Sequence, residues 1–332
     1  MPAHHLFYMR ITRFAQVACV IVSVVLLNSC KKDVLWWKST RQISFSGHND
    51  RYNKILFTDS LHGYVFGGNY YQDAVILETT DGGATWTRSA YPKVGQLLLG
   101  CSQTPQGDIY ACGFDGKLMY NVSQTNSWTY HQMEYYYFRD VSFATPNSGI
   151  LIGGISFNSG LMEHIDSFGN VHKRDSFNYQ LNCVKMFGAD TGICCGYGIV
   201  EKTFDGGYTW MVKDVVGDNF MAMCCLNNEI WVVGYDGTIF HSNDRGDNWE
   251  RLRNGNDFTR TRYRLYDILF TDHLNGWAVG EDGIVLFSND GGHHWAEYKK
   301  FTNAPLYGIA QNKKGALFIC GDYGSLYQIN PI

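Results

Sequence analysis

The sequence predicts an all-β protein, a seven-bladed β-propeller whose last blade is closed by the N-terminal strand. Three observations lead to this prediction. A turn motif recurs about every 42 residues, the chain between two copies reads as four short strands, and the two ends of the array are incomplete in complementary ways. Four strands at a period of 40-odd residues are typical of propeller blades.

The turn motif combines an aspartate, a glycine and a closing tryptophan. Its strong copies are TTDGGATW (79–86), TFDGGYTW (203–210), SNDRGDNW (242–249) and SNDGGHHW (288–295), and its weaker copies are NVSQTNSW (121–128) and HIDSFGNV (164–171). Their last positions, 86, 128, 171, 210, 249 and 295, are separated by 42, 43, 39, 39 and 46 residues. A series this regular predicts a repeat architecture.

The motif residues are interpreted as structural. The aspartate can accept backbone N–H bonds within its own turn, and the glycine can adopt a positive φ that residues with a Cβ avoid. The tryptophan then packs between blades, where its large surface is buried. The residues assigned to this role are Asp81, Gly83, Trp86, Asp205, Gly207, Trp210, Asp244, Gly246, Trp249, Asp290, Gly292 and Trp295.

Each repeat reads as four strands. An apolar strand ending near Phe, such as DILF (267–270), precedes a second apolar strand ending in Gly, such as GWAVG (276–280). A tight turn leads to a third strand, IVLFS (284–288), and the tryptophan opens the fourth. Abundant aromatic residues and 36 glycines also favour strands and turns over helices.

The two ends of the array complement each other. Residues 306–332 supply three strands of a seventh blade and no tryptophan strand, whereas VLWWKST (34–40) is an aromatic strand with no partners before it. The N-terminal strand is therefore predicted to complete the seventh blade, which removes open sheet edges.

Residues 1–29 are predicted to be a lipoprotein signal peptide and residues 30–332 a single propeller domain. Arg10 and Arg13 precede a 13-residue apolar run (15–27), and LNSC ends at Cys30. This resembles a bacterial lipobox, in which the cysteine receives the lipid. An ordinary secretory signal is the alternative. The expected location is the cell envelope, anchored by lipid to a membrane and facing either the periplasm or the surface.

Charge and cysteine usage limit other functions. The region from residue 30 carries 25 Lys and Arg against 31 Asp and Glu, a net charge of −6, which argues against nucleic-acid binding. Cys112, Cys195 and Cys320 each precede the glycine that ends an apolar strand, a pattern that indicates buried thiols. The sequence has no CxxC spacing and no nucleotide or zinc-hydrolase motif, so no metal and no cofactor are expected.

These repeats resemble the Asp-box (bacterial neuraminidase repeat-like) propellers of the photosystem II stability/assembly factor family. The resemblance covers roughly residues 34–332. It implies a non-enzymatic protein that binds a partner during assembly, and many relatives outside photosynthetic cells are lipoproteins. Nothing in this sequence indicates photosynthesis, so that role is not transferred.

A glycoside hydrolase, sialidase-like or xyloglucanase-like, is the alternative function, because Asp-boxes also occur in those enzymes. Asp140 and Asp267 open innermost strands and could flank a central channel. A hydrolytic pair requires two carboxylates at a defined separation, which a sequence does not give. The other interpretation is that both aspartates cap strands by hydrogen bonding.

The candidate binding face consists of loops rich in Tyr and Arg, the usual anchors of protein interfaces. The segment HQMEYYYFRD (131–140), the turn GGNYYQD (67–73) and the arginine loop RLRNGNDFTRTRYR (251–264) are expected on one face. The assigned residues are Tyr70, Tyr71, Tyr135, Tyr136, Tyr137, Arg139, Arg260, Arg262 and Arg264. The expected ligand is an envelope protein or a glycan, bound by a monomeric propeller.

Overall fold

The computed structural model describes residues 34–122, 127–259 and 261–331. Their strands form seven sheets, six with four strands and one with five, arranged as a seven-bladed β-propeller. The predicted fold class is confirmed. No helix in the described ranges is both long enough and apolar enough to cross a membrane.

Blades 1 to 3 run outward from the central channel in chain order. Blade 1 contains β3 (Arg51–Phe57), β4 (Gly63–Asn69), β5 (Asp73–Thr79) and β6 (Thr87–Tyr91). Blade 2 contains β7 (Leu98–Gln103), β8 (Ile109–Gly113), β9 (Lys117–Asn121) and β10 (Trp128–Gln132). Blade 3 contains β11 (Phe138–Thr145), β12 (Ser148–Ser156), β13 (Ser159–Ile165) and β14 (Val171–Phe177).

Blades 4 to 7 repeat this order. Blade 4 contains β15 (Leu181–Met186), β16 (Gly192–Gly196), β17 (Ile199–Thr203) and β18 (Met211–Val212). Blade 5 contains β19 (Phe220–Leu226), β20 (Glu229–Gly234), β21 (Ile239–Ser242) and β22 (Glu250–Arg253). Blade 6 contains β23 (Leu265–Phe270), β24 (Gly276–Gly280), β25 (Val285–Ser288) and β26 (Ala296–Tyr298). Blade 7 contains β27 (Leu306–Gln311), β28 (Leu317–Gly321) and β29 (Leu326–Pro331).

The second strands lie deep in the blades. Strands β8, β16, β24 and β28 are buried along their whole length, since neighbouring blades cover both faces. Their final glycines leave room for the link that enters the inner strand of the same blade. A Cβ on Gly280, for example, would lie 1.9 Å from the carbonyl oxygen of Arg264. Cys112, Cys195 and Cys320 are buried free thiols beside these glycines, as predicted.

The N-terminal segment closes the ring, as the sequence predicts. Strand β2 (Trp37–Gln42) pairs antiparallel with β29 as the outer strand of blade 7. The sequence did not predict the preceding strand, β1 (Val34–Leu35), which pairs parallel with β26 of blade 6. The segment therefore joins the outer edges of two adjacent blades.

The four turns with the strong motif share one hydrogen-bond pattern. In blade 4 the Thr203 hydroxyl donates to Asp205 at 2.8 Å and accepts from the N–H of Gly207 at 2.8 Å. The Thr209 hydroxyl and then its N–H hold the pKa of Asp205 down at about 2. Gly207 has φ +92°, and the Trp210 indole donates to its carbonyl oxygen at 2.9 Å.

Thr203→Val is expected to lower the free energy of unfolding by about 1–2 kcal/mol. The substitution keeps the shape of this fully buried side chain but leaves the Gly207 N–H without an acceptor. Urea unfolding followed by circular dichroism measures the loss, and Thr203→Ser, which retains the hydroxyl, is the control. Equal stability of the valine and serine variants would show that the turn bond contributes nothing.

Candidate binding face at the channel mouth

Every inner strand has a β-bulge near its start. Pairing with the second strand skips one residue in each blade, so that residue has no partner across the ladder. The seven bulged residues are Asn53, Leu99, Arg139, Asn182, Met221, Tyr266 and Tyr307. A bulge changes the direction of a side chain and is frequent beside functional sites.

The bulged residues meet at the mouth of the central channel. All seven line one cavity of about 120 Å³, together with Arg51 and Lys54. One residue from each blade therefore contributes to a single surface. The ring contains polar, aromatic and apolar side chains, and Arg139 is its one charged bulge residue.

A larger cleft of about 980 Å³ opens beside this cavity and shares Arg139 and Met221 with it. Blades 3, 4 and 5 supply most of its wall. Phe157 and Tyr197 are exposed on its rim, with ring centroids 4.9 Å apart. The cleft and the channel mouth form one continuous face, which we call the mouth face.

Arg139 has weak partners at the centre of the mouth face. Its Nε lies 3.4 Å from the carbonyl oxygen of Gly154, and one terminal nitrogen lies 3.3 Å from Oε1 of Gln180. Burial lowers the pKa of Arg139, yet a guanidinium stays protonated at neutral pH. Within the described ranges no carboxylate forms an ion pair with it, so a positive charge faces the cavity without a counter-ion.

Arg51 is a second guanidinium at the channel mouth. It donates to Asn53 at 2.9 Å and to the Tyr70 hydroxyl at 3.0 Å, and it lies 3.9 Å from the ring centroid of Tyr307. None of these partners carries a negative charge. Cation–π and neutral hydrogen bonds hold the group in place without neutralising it.

Aromatic rings continue around the mouth. Tyr235, Tyr266 and Tyr307 follow one another in blades 5, 6 and 7, with centroid distances of 5.9 and 5.0 Å. On the other side, Phe114 lies 5.2 Å from Tyr70 and 4.4 Å from Tyr137. Two clusters of aromatic side chains therefore lie at the mouth face.

The predicted tyrosines lie in two environments. Tyr70 and Tyr71 are exposed in the turn after β4, and Tyr70 contacts Arg51 at the mouth. Tyr137 packs on Phe114, and the Tyr136 hydroxyl is 2.9 Å from that of Ser159, so both are half-buried. Tyr135 is exposed in the link between blades 2 and 3.

The arginine loop is largely paired within the chain. Arg262 forms an ion pair with Asp236, with Nε 3.0 Å from Oδ1. Arg264 makes two contacts with the Glu281 carboxylate, at 2.9 and 2.8 Å. Arg260 lies outside the described residues. Arg262 thus lies in the cleft wall. The carboxylates of Asp236 and Glu281 offset the charges of Arg262 and Arg264.

The two aspartates considered for catalysis join inner strands. Asp140 accepts the N–H of Val184 in blade 4 at 3.0 Å, and Asp267 accepts that of Ile309 in blade 7 at 3.1 Å. Burial raises the pKa of Asp140. Burial alone would lower the pKa of Lys54, but the Asp267 carboxylate, 3.4 Å away, raises it overall. These contacts correspond to the strand-capping interpretation.

The carboxylates of the cleft also have partners within the protein. Asp218 is buried and accepts the N–H groups of Asp236 and Thr238, at 2.9 and 3.0 Å. Asp236 pairs with Arg262. In the part of the chain that the structure describes, no group of three or more His, Cys, Asp and Glu side chains could hold a metal ion.

The sequence predicts Arg139 as a binding residue, but it does not predict most of the mouth face. Tyr266 and Tyr307 each stand second in an inner strand, after an apolar residue, in LYD (265–267) and LYG (306–308). Aligning the repeats on the glycines near the ends of their second strands, such as Gly153, Gly280 and Gly321, places these residues and Arg139 at one position. The sequence therefore contains the shared position, but only the β-bulge shows that residues at this position meet at the channel mouth.

The fold and this face define a seven-bladed β-propeller with a bulge-lined mouth and a cleft beside it. Residues 196–259 match the family model described as photosynthesis system II assembly factor YCF48. This confirms the resemblance predicted from the repeats, and the matched residues comprise the two outer strands of blade 4 and the whole of blade 5. No curated protein matches the chain in sequence.

Solved structures share the fold over most of the chain. A structure of YCF48 bound to D1 peptide is 17% identical, covers 91% of this chain and 100% of that one, and has a TM-score of 0.66. YCF48 from Cyanidioschyzon merolae is 16% identical over 88% of this chain and 99% of that one, with a TM-score of 0.65. Virginiamycin B lyase from Staphylococcus aureus is 8% identical over 89% and 99%, with a TM-score of 0.70. At these identities the likeness is one of fold, which binding proteins and enzymes share.

Proposed function

We propose that this chain is a lipid-anchored propeller of the bacterial cell envelope that binds a segment of a partner protein on its mouth face and catalyses no reaction. The observation that carries the proposal is Arg139, a half-buried guanidinium without a carboxylate partner where the channel mouth and the cleft meet. The partner is a protein of the envelope.

The charge of the mouth face selects a carboxylate. Arg139 and Arg51 both line the channel mouth, and neither is neutralised by a described residue. Arginine binds a carboxylate through two parallel hydrogen bonds, which are stronger than neutral ones. We therefore expect the bound segment to present an Asp or Glu side chain, or a C-terminal carboxylate, at this point.

The shape and lining of the cleft suit a peptide. Its volume of about 980 Å³ accommodates several side chains, and Ile155, Phe157 and Tyr197 provide exposed apolar surface beside Arg139. Apolar and aromatic anchors around a buried charge are the usual composition of an interface centre. The solved structure of YCF48 with the D1 peptide supports a peptide as the class of ligand.

The alternative function, a glycoside hydrolase, finds less support on this face. Hydrolysis needs one carboxyl group to donate a proton and a second to act as base or nucleophile. Asp140, Asp218 and Asp267 accept backbone N–H groups, and Asp236 pairs with Arg262. Hydrolysis of a sialoside or xyloglucan panel would contradict the proposal.

The anchor follows from the sequence before the propeller. Cys30 ends the lipobox-like LNSC and lies outside the described residues. Mass spectrometry of the protein from native membranes should find diacylglyceryl-cysteine as its first residue. An unmodified N-terminus beyond residue 30 would remove the anchor from the proposal and leave the mouth face to be tested separately.

Arg139→Gln is expected to weaken partner capture at least about tenfold, because it removes the charge left without a counter-ion. The measurement is affinity purification from native membranes after crosslinking, followed by quantification of the captured protein. Capture by the wild type should also decline with salt as screening increases.

The matched control is Arg262→Ser with Arg264→Ser. Both arginines are paired with Asp236 and Glu281, so we expect a smaller loss of capture than with Arg139→Gln. Circular dichroism should show all variants folded. Equal capture by wild type and Arg139→Gln would contradict the mouth face as the binding site. A larger loss from the double variant would place binding in the arginine loop.

A further inference from the structure

We propose that the outer rim of blades 6 and 7 lies against an anionic membrane surface. The contact is made by Val34, Trp36, Lys38, Lys299 and Lys300, which we call the rim patch. This inference uses the lipid anchor of the proposed function, but it concerns a different surface from the mouth face. It assigns the propeller an orientation on the membrane.

The packing of residues 34–38 fixes which side chains of the rim patch face solvent. Exposure alternates along residues 34–38, with Val34, Trp36 and Lys38 exposed and the two residues between them half-buried. Trp37 stacks on Tyr298 at a centroid distance of 3.7 Å and donates to the carbonyl oxygen of Lys299. Because Trp37 is fixed inward, extended geometry directs Trp36 outward.

Trp36 is chemically suited to the membrane interface. Its side chain, between β1 and β2, is 58% exposed, and Nζ of Lys299 lies 4.0 Å from its ring centroid. Tryptophan partitions to the headgroup region, where its apolar ring and its N–H are both accommodated. Val34, 45% exposed, extends the apolar surface towards the N-terminus.

Positive charge lies against the indole at Lys299. Lys38 and Lys300 are exposed neighbours in the chain, and Lys300 also lines a cavity of about 260 Å³ with Glu297. None of the three lysines forms an ion pair with a residue in the described ranges. The sequence adds Lys31 and Lys32 immediately before the propeller. Clustered lysines next to a membrane attachment point are attracted to anionic lipids. This local excess is notable in a region with a net charge of −6.

The distance to the anchor holds the rim close to the bilayer. Three residues lie between Cys30 and Val34, so the fully extended connection of four residue steps spans at most about 14 Å. The rim of blades 6 and 7 is the part of the propeller where the chain enters. A short tether and a second, weaker membrane contact together give firmer attachment than either alone.

The test is quenching of tryptophan fluorescence by brominated lipids. The purified mature protein is mixed with vesicles of phosphatidylcholine and phosphatidylglycerol, with or without bromine near the headgroup end of the acyl chains. We expect the wild type to lose emission in brominated vesicles, and Trp36→Phe to abolish at least half of that loss. Charge reversal at Lys38, Lys299 and Lys300 should reduce quenching at least twofold on these vesicles.

The control restores an exposed tryptophan far from the rim. Phe168→Trp, added to Trp36→Phe, places an indole at a 69% exposed position in blade 3, and its emission should not respond to bromine. Equal quenching of wild type and Trp36→Phe overturns the rim patch, whatever group Cys30 carries. Flotation of the same samples reports the anchor separately, so protein that floats without Trp36 quenching contradicts the rim patch alone.

Discussion

Deletion of residues 34–42 is expected to lower the free energy of unfolding by about 5 kcal/mol or more, since it removes the outer strand of blade 7 with its burial and its ladder. Strand β2 pairs with β29 from Trp37 to Gln42, and Arg41 donates to the carbonyl oxygens of Gly83 and Ala84 in blade 1. The deletion therefore breaks both the blade and its connection to the next one.

Trp37 accounts for a large share of this effect. It stacks on Tyr298, meets Phe301 at 5.7 Å and donates to Lys299, so it fills the junction between blades 6 and 7. Trp37→Ala should cost about 3–4 kcal/mol, as large-to-small changes at packed aromatic residues do. Trp36→Ala, one residue away and exposed, is the control and should change stability by less than about 0.5 kcal/mol.

Urea unfolding of the three variants and the wild type provides the measurement. The order deletion, Trp37→Ala, Trp36→Ala is expected, from most to least destabilised. If the deletion unfolds at the wild-type midpoint, the ring does not depend on the N-terminal strand and closure by β2 is unimportant to stability.

The blade pattern could be predicted because each of its determinants is local. The aspartate, glycine and tryptophan of a turn lie within eight residues, and their hydrogen bonds, such as those of Thr203 and Gly207, are made inside that turn. Apolar runs such as GWAVG are likewise complete strands. A local pattern that recurs at a constant period determines the number of blades and, from the unpaired ends, the closing strand.

The parallel pairing of β1 with β26 could not be predicted for the opposite reason. Two residues, Val34 and Leu35, contain no pattern that distinguishes a strand from a linker. Their position follows from Trp37, whose stacking on Tyr298 brings the preceding residues against blade 6. Such a contact depends on the completed ring and has no counterpart in the repeat.

The candidate site was only partly predictable. The composition of the loops predicts Arg139 and the arginine loop as binding residues. Composition does not show which arginines form ion pairs with carboxylates. Arg262 and Arg264 meet Asp236 and Glu281, which lie 26 and 17 residues away in the sequence. Arg139 meets neutral oxygens. The distinction depends on tertiary contacts, and it moves the centre of the site to Arg139.

Trp231→Ala is expected to be the most destabilising of the single tryptophan substitutions, with a loss of about 5 kcal/mol in the free energy of unfolding. Trp231 lies in β20, outside the repeated turns, and is fully buried. It stacks on Phe270 of blade 6 with a centroid distance of 3.8 Å and an interplanar angle of 8°. Its indole donates to the carbonyl oxygen of Gly291 at 2.9 Å.

Trp210, a turn tryptophan, should cost less because it is only half-buried and its indole hydrogen bond stays within its own turn. Trp210 donates to the carbonyl oxygen of Gly207, three residues earlier in the same turn. Trp231 instead joins the second strand of blade 5 to an inner strand and a turn of blade 6. Trp210→Ala is expected to cost about 3 kcal/mol. Trp231→Phe, which keeps a ring but loses the hydrogen bond, should cost about 1–2 kcal/mol.

Urea unfolding of these variants compares the two roles directly. A loss from Trp231→Ala no larger than that from Trp210→Ala would mean that the turns, and not the contact between blades 5 and 6, dominate the stability contributed by the tryptophans.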